Sequence, residues 1–136
     1  MPAYLKYGEI RGEVKEPAHK SWIELTSVQL GAHRPKSWGS RERDPGAPDV
    51  SEIVVNKDQD STSVLLFQES LTGKSVEATI DFVKEGVVYL RVTMKGTLIS
   101  SYQFGGTGDR PAESLTLNFE KVEFEQNPSE PPPKFK

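Results

Sequence analysis

The stretch "GGTGDR", residues 105–110, sets glycines whose backbone N–H groups could face an anion beside an Asp–Arg pair. A Walker-type phosphate loop needs Lys and Ser or Thr after its last glycine, and a helix behind it whose N-terminus adds positive potential. Neither residue follows here, and the next segment, "AESLTLNFEKVEFE", alternates like a strand. A dinucleotide fingerprint fails on the same missing helix. The turn therefore reads as a flexible corner between two strands. His19 and His33 lack the H-x-x-x-H or H-x-H spacing of a zinc site and read as solvated loop residues. Serines and aspartates are plentiful, but no G-x-S-x-G elbow presents a nucleophile. With no cysteine there is no thiolate ligand and no disulfide. Asp44, Asp49 and Glu52 cluster near Arg41 and Arg43, the pattern of a self-paired, solvated loop. No catalytic constellation emerges, and no cofactor or metal is expected.

The segment "GAHRPKSWGSRERDPGAPDV", residues 31–50, sets Trp38 among Arg34, Lys36, Arg41 and Arg43. Aromatic and arginine side chains together are common anchors of protein interfaces. Glu42, Asp44 and Asp49 lie between the cations and oppose phosphate binding. A mobile surface loop with Trp38 folded back on the body accounts for the composition equally well. The whole chain has 17 basic and 20 acidic residues, a net charge of −3, which supplies no bulk attraction to nucleic acid. No membrane span is expected, because no apolar run approaches about 18 residues. The opening "MPAYLKYGEIRGEV" carries Lys6, Glu9 and Arg11 and does not have the form of a cleavable Sec leader.

At 136 residues the chain suits one domain. Period two dominates, so the expected class is mainly β: an antiparallel barrel or two packed sheets. In "KSVEATIDFV", Val76, Ala78, Ile80 and Phe82 share a face, opposite Glu77, Thr79 and Asp81. "EG" at 85–86 has the form of a hairpin turn into a run where Val88, Leu90, Val92 and Met94 share a face. Gly96 marks a bend or bulge in that run. Two segments change phase. Ile23 and Leu25 are followed by Val28 and Leu30 of opposite parity, and Leu115, Leu117 and Phe119 by Val122 and Phe124. Either a bulge restores each pattern, or the strand serves two cores, the second against a neighbour. One helix is expected over about residues 60–72. Its N-cap would be Asp60 or Ser61, its apolar face Val64, Leu65, Phe67 and Leu71 with Gln68, and its C-cap Gly73. The barrel domain spans residues 1–128, with the extended loop 31–50. Residues 129–136 form a proline-rich tail expected to be extended and disordered.

These landmarks come in a recognisable order. "LKYGEIRGE" resembles the opening of the Hcp (haemolysin-coregulated protein) family of type VI secretion, which has a histidine a few residues on, here His19. "WIELTSVQLG" is similar to its second strand before a long loop, and "LFQESLTGK" occupies the place of its single helix. "SLTLNFEKVEFEQNP", with the glycine turn before it, resembles the family's most recognisable segment. The likeness runs over roughly residues 3 to 128. The chain departs from the family at Val14, where Ser is usual, in its proline- and charge-rich loop, and in an ending "PSEPPPKFK" that replaces a final aromatic-containing strand.

The resemblance implies a barrel related to phage tail tube proteins. Its copies would form hexameric rings that stack into a tube driven by a contractile sheath. The expected protein is structural, not an enzyme. Its partners would be itself, in homohexamers and stacked rings, and beyond that sheath, spike and effector proteins. It would be cytoplasmic before firing and secreted without a cleavable signal peptide. The residues expected at subunit and ring contacts are Trp38, Arg41, Arg43 and Asp44 in the loop, and Val122 and Phe124 on the last strand. The alternative is a stand-alone β-barrel binding module or effector adaptor that forms no tube.

Overall fold

A computed structural model describes residues 2–33, 49–106 and 111–135. In chain order these form β1 (Ala3–Tyr7), a 3-10 turn (Pro17–His19), β2 (Ile23–Leu25), β3 (Ser27–His33), β4 (Asp49–Asp58), α1 (Ser63–Thr72), β5 (Val76–Lys84), β6 (Val87–Gly105), β7 (Ala112–Asn118) and β8 (Lys121–Gln126). The hydrogen-bonded order is β2-β1-β5-β6-β7-β4-β3, with β8 also on β6, and every pairing is antiparallel. With 19 residues, β6 is long enough to serve two sheets. Its first half lies between β5 and β8, and its second half pairs with β7. Sheet A is therefore β2-β1-β5-β6-β8, and sheet B is β6-β7-β4-β3. Their far strands, β2 and β3, are joined by Thr26 alone, whose N–H donates to the Asn56 carbonyl at 2.7 Å. The sheet thus curls back on itself as a barrel, the mainly-β class with one helix that the alternation implies.

The interior follows the alternation. Leu5 and Tyr7 from β1, Ile23 and Leu25, Ile53 and Val55, Ala78 and Ile80, Val92 and Met94, and Leu115 and Leu117 form one buried cluster. The first phase change, after Leu25, is the passage from sheet A to sheet B at Thr26, and Val28 rejoins the same cluster. The second has a different cause. Inward positions on β6 are Val92 and Met94 before Gly96, then Thr97 and Ile99 after it. The partner strand switches at the same level, from Val122 to Leu117. Gly96 takes a left-handed φ of 64°, and the Glu120 N–H donates to the Lys95 carbonyl at 2.9 Å. Register is kept across the kink, with Lys95 opposite Lys121 and Leu98 opposite Asn118. Both strands thus exchange faces together, and the apolar row stays on one core. Val122 is half-buried against that core, so the two-core alternative gives way to the kink. Only Phe124, last in the row, emerges at 46% exposure.

Two turns follow the expected pattern. Glu85 and Gly86 have φ of 52° and 78° and close the β5–β6 hairpin. β6 ends at Gly105 and β7 begins at Ala112, so the glycine turn joins two strands; its residues 107–110 lie outside the described residues.

The helix is shorter than expected at its start, and it is turned over. Thr62, not Asp60 or Ser61, is the N-cap, while Gly73 closes the helix in the left-handed conformation with φ 70°. Leu66 is its fully buried apolar residue, and Val64, Leu65, Phe67 and Leu71 face outwards. The four-residue run "VLLF" places an apolar group on every side of one turn, so periodicity alone does not choose a face. The choice is made by polar groups. Lys57 is fully buried at the end of β4, and its ammonium donates at 2.9 Å to each of Glu113, Asp60 and the Asp58 carbonyl. Glu113 on β7 also accepts from the Ser63 hydroxyl and, at 2.6 Å, from Tyr102. Asp60 accepts from the Thr62 N–H at 2.8 Å and from its hydroxyl at 2.6 Å. Burial alone would raise the Asp60 pKa, but the bonds from Thr62 and Lys57 outweigh it and hold the carboxyl below its ordinary range. This network pins Thr62 and Ser63 inwards, and Leu66 follows one turn later.

Gly12, in the opening motif, is a close approach. A Cβ there would stand 2.4 Å from the Trp22 carbonyl oxygen, where Gly12 and Val14 pair with Ser21 and Trp22. Gly12→Ala should destabilise the fold by about 1–3 kcal/mol through overpacking against backbone, measured as a lowered denaturation midpoint. Lys57→Met should cost about 3–5 kcal/mol, because it strands Glu113 and Asp60 without their cation. The double variant Lys57→Met/Glu113→Leu should recover part of that loss, which a double-mutant denaturation cycle reads directly.

Candidate functional site

Two surfaces of the barrel carry more than solvated polar groups. The first is the outer face of α1. Val64, Leu65, Phe67 and Leu71 are between 45% and 71% exposed, and Phe104 from the second half of β6 is exposed beside them. The Phe67 and Tyr102 rings meet at 5.4 Å. Ser63, Val64, Phe67, Tyr102 and Phe104 line an open apolar groove of about 360 Å³. Its position is set from beneath, because Ser63 and Tyr102 both bind the buried Glu113. Burial and the carboxylate push the Tyr102 phenol far above its ordinary pKa, so it is a fixed donor at the groove floor. The wall is apolar and rigidly anchored, a surface suited to a partner's apolar side chains.

The second surface is the outer face of sheet A, which is overlaid by the segment around the 3-10 turn and by the C-terminal tail. Across the strands, Glu24, Tyr4, Asp81, Arg91 and Glu125 stand in one register row. Asp81, on the strand face opposite Ala78 and Ile80, is fully buried. Arg91 donates to it through Nε at 2.7 Å and through a terminal nitrogen at 3.1 Å. His19, expected to be solvated, is buried against the same group, with Nε2 2.8 Å from Asp81 and Nδ1 on Glu16. The Tyr4 and Trp22 rings flank it at 5.0 and 4.8 Å. Both imidazole nitrogens face carboxylates, so the ring has no free lone pair with which to activate a nucleophile. Expected to be disordered, residues 129–135 follow a defined path without helix or strand. Arg91 donates to the Glu130 carbonyl at 3.1 Å, and the Phe135 ring lies 4.6 Å from the Lys6 ammonium and 4.9 Å from the Arg11 guanidinium. Those three contacts hold the tail where its prolines alone leave it loose.

The residues expected at contacts divide sharply. Trp38, Arg41, Arg43 and Asp44 lie outside the described residues, as do the neighbouring Arg34 and Lys36. Val122 packs towards the core, and Phe124 is exposed beside Val92 on the strand that edges sheet A. The α1 face and Phe104 were not singled out as a surface. The signal for them was the excess of apolar residues over what one short helix can bury. Among the described residues, no group of histidines and carboxylates is placed to hold a metal ion. No helix among them is long and apolar enough to cross a membrane.

Comparison with known proteins agrees with this architecture. The family model described as "Type VI secretion system effector, Hcp" matches residues 4–126. The protein hcp1 of Pseudomonas aeruginosa is 29% identical over 133 residues, which covers 92% of this chain and 82% of that one. Among solved structures, a type VI secretion system effector from Yersinia pestis superposes with a TM-score of 0.78 at 20% identity, over 91% of this chain and 88% of the other. Hcp1 from Salmonella typhimurium gives 0.78 at 23% identity, over 92% and 85%. The ordered landmarks, the barrel with one α-helix among the described residues and the matched family model lead to one assignment: the chain belongs to the Hcp family of type VI secretion proteins.

Proposed function

We propose that this protein is the tube subunit of a type VI or related contractile injection system, and that its function is assembly. Copies join into hexameric rings, the rings stack, and the resulting tube carries or delivers effectors when the sheath contracts. The protein acts as a structural element without cofactor or catalysis. It is held in the cytoplasm until firing and is then released from the cell. Its other partners are sheath, spike and effector proteins.

The observation that carries this reading is the placement of the exposed apolar groups. Val64 and Phe67 share a groove with Tyr102 and Phe104 of the second half of β6, whereas Phe124 sits on β8 beside the first half. A two-fold interface buries one patch against itself. Two unlike patches on different parts of one subunit suit a head-to-tail contact, and such contacts close into rings when the rotation permits. Each contact would bury on the order of 1,600 Å² if it is of standard size. The loop expected at 31–50 is shortened at both ends, because β3 runs to His33 and β4 begins at Asp49, and what remains, with Trp38, Arg41, Arg43 and Asp44, is assigned to contact between rings.

Light scattering and negative-stain microscopy test the reading. The wild type should form rings at tens of micromolar. Phe67→Glu/Leu71→Glu should run as a monomer with unchanged β-sheet circular dichroism, because charge at an apolar anchor typically costs more than about 2 kcal/mol of association. A wild type that stays monomeric at that concentration would overturn the ring and favour a stand-alone binding module. In cells, release of the protein into the medium should require a working sheath, and equal release without one would remove the injection role.

A further inference from the structure

We propose that the segment around the 3-10 turn and the C-terminal tail form a pH-operated clasp on the outer face of sheet A, locked by the His19 imidazolium and loosened when that ring loses a proton. His19 is 1% exposed, and each of its nitrogens meets a carboxylate: Nδ1 meets Glu16 of its own segment and Nε2 meets Asp81 of β5. A neutral imidazole has one N–H and one lone pair. It can donate to one of the two carboxylates only, and its lone pair then faces the oxygens of the other. With both carboxylates ionised, the two contacts are both hydrogen bonds only when both nitrogens carry hydrogen.

The charged surroundings come from every strand of the sheet at this level. Asp81 lies on β5, Arg91 on β6 binds Asp81 from the far side, and Glu125 on β8 stands opposite Arg91. Tyr4 on β1 lies against the ring, and Glu24 on β2 stands opposite Tyr4. Glu16 caps the 3-10 turn by accepting from the Ala18 N–H at 2.9 Å. Burial alone would push the His19 pKa down, but its bonds to Asp81 and Glu16 and their charges outweigh burial and hold it above its ordinary value. A raised pKa in the folded state means that the clasp's stabilisation is complete below the unfolded value of about 6.5 and is lost as pH rises through the folded value. Loosening therefore happens on the alkaline side.

Two links carry the event beyond His19. Glu16 belongs to a segment whose Gly12, Val14, Ser21 and Trp22 bond to one another, so that the segment leaves the sheet as a unit. Arg91 holds the Glu130 carbonyl, and Arg11 of the same N-terminal segment holds Phe135. Two of the tail's three contacts are thus shared with the clasp, and the third is Lys6 of β1 on the Phe135 ring.

Hydrogen exchange measured by mass spectrometry on the full chain, in the assembly state in which it purifies, tests the proposal. Rates are corrected for the intrinsic pH dependence of exchange and followed from about pH 6 to about pH 9. Peptides covering residues 11–22 should lose protection by at least about tenfold across the titration, residues 127–135 should follow, and β4 and β7 should stay unchanged. Glu16→Gln, on a partly exposed side chain, should move the midpoint to lower pH, and His19→Gln should abolish the dependence. Protection that does not vary with pH, or a midpoint unmoved in Glu16→Gln, would overturn the clasp. The same dependence in His19→Gln would assign it to another group and overturn it equally.

Discussion

Everything in this barrel depends on one strand being able to change faces. β6 is shared by two sheets, and a continuous pleat would carry its apolar residues from the core to solvent halfway along. The left-handed residue Gly96 absorbs that change, and the partner strand makes the same exchange at Phe119 and Glu120 without losing register. A β-branched or bulky residue at Gly96 would be strained by its φ, and its Cβ would meet the Glu120 side chain at 2.8 Å. The apolar rows of β6, β7 and β8 are therefore one row, folded at a hinge fixed by backbone conformation. The barrel has a single core because of it.

Around that core, charge is used to place what hydrophobicity leaves ambiguous. α1 has apolar residues on every side of its first turn, and a hydrophobic force that is roughly proportional to area does not tell them apart. The carboxylates that pair with the buried Lys57 do so, because Glu113 accepts from the Ser63 hydroxyl and Asp60 from the Thr62 N–H, and turning the helix over breaks those bonds and leaves buried polar groups unpaired. The outer face of sheet A is handled in the same way. His19, Asp81 and Arg91 fix where a segment without regular structure and a proline-rich tail lie down. In both places the buried polar groups specify geometry, and the apolar groups supply the bulk of the driving force.

The fold was legible where alternation is strict. The β5–β6 hairpin, the strand after the glycine turn and the Gly73 cap follow from local rules that tertiary contacts did not override, whereas the phase change after Leu25, read as a bulge or a second core, is a break between two strands. The contacts across the barrel were not legible. Nothing near Lys57 in the chain shows that Glu113 will face it, and Asp81 alternates with apolar residues in the same manner as a solvated aspartate does. His19 was noticed as a landmark and assigned to solvent, because its burial is produced by Trp22, Tyr4 and a carboxylate far along the chain. The exposure of Phe124 could be read from parity, whereas the exposed apolar face of α1 required knowing which of four neighbouring apolar residues the core takes.

The outward face of α1 has a consequence for the isolated chain. Folding leaves Val64, Leu65, Phe67 and Leu71 in water, so their transfer to an apolar setting, worth about 25 cal/mol per Å² covered, is withheld until another molecule arrives. That part of the protein's free energy is governed by concentration and not by the fold. Dilution should weaken it, crowding of copies should strengthen it, and a shortage of proper partners should turn the same surface towards precipitation. Under the proposed assembly, solubility and association are two readings of one patch, and a substitution that improves the first does so at the expense of the second.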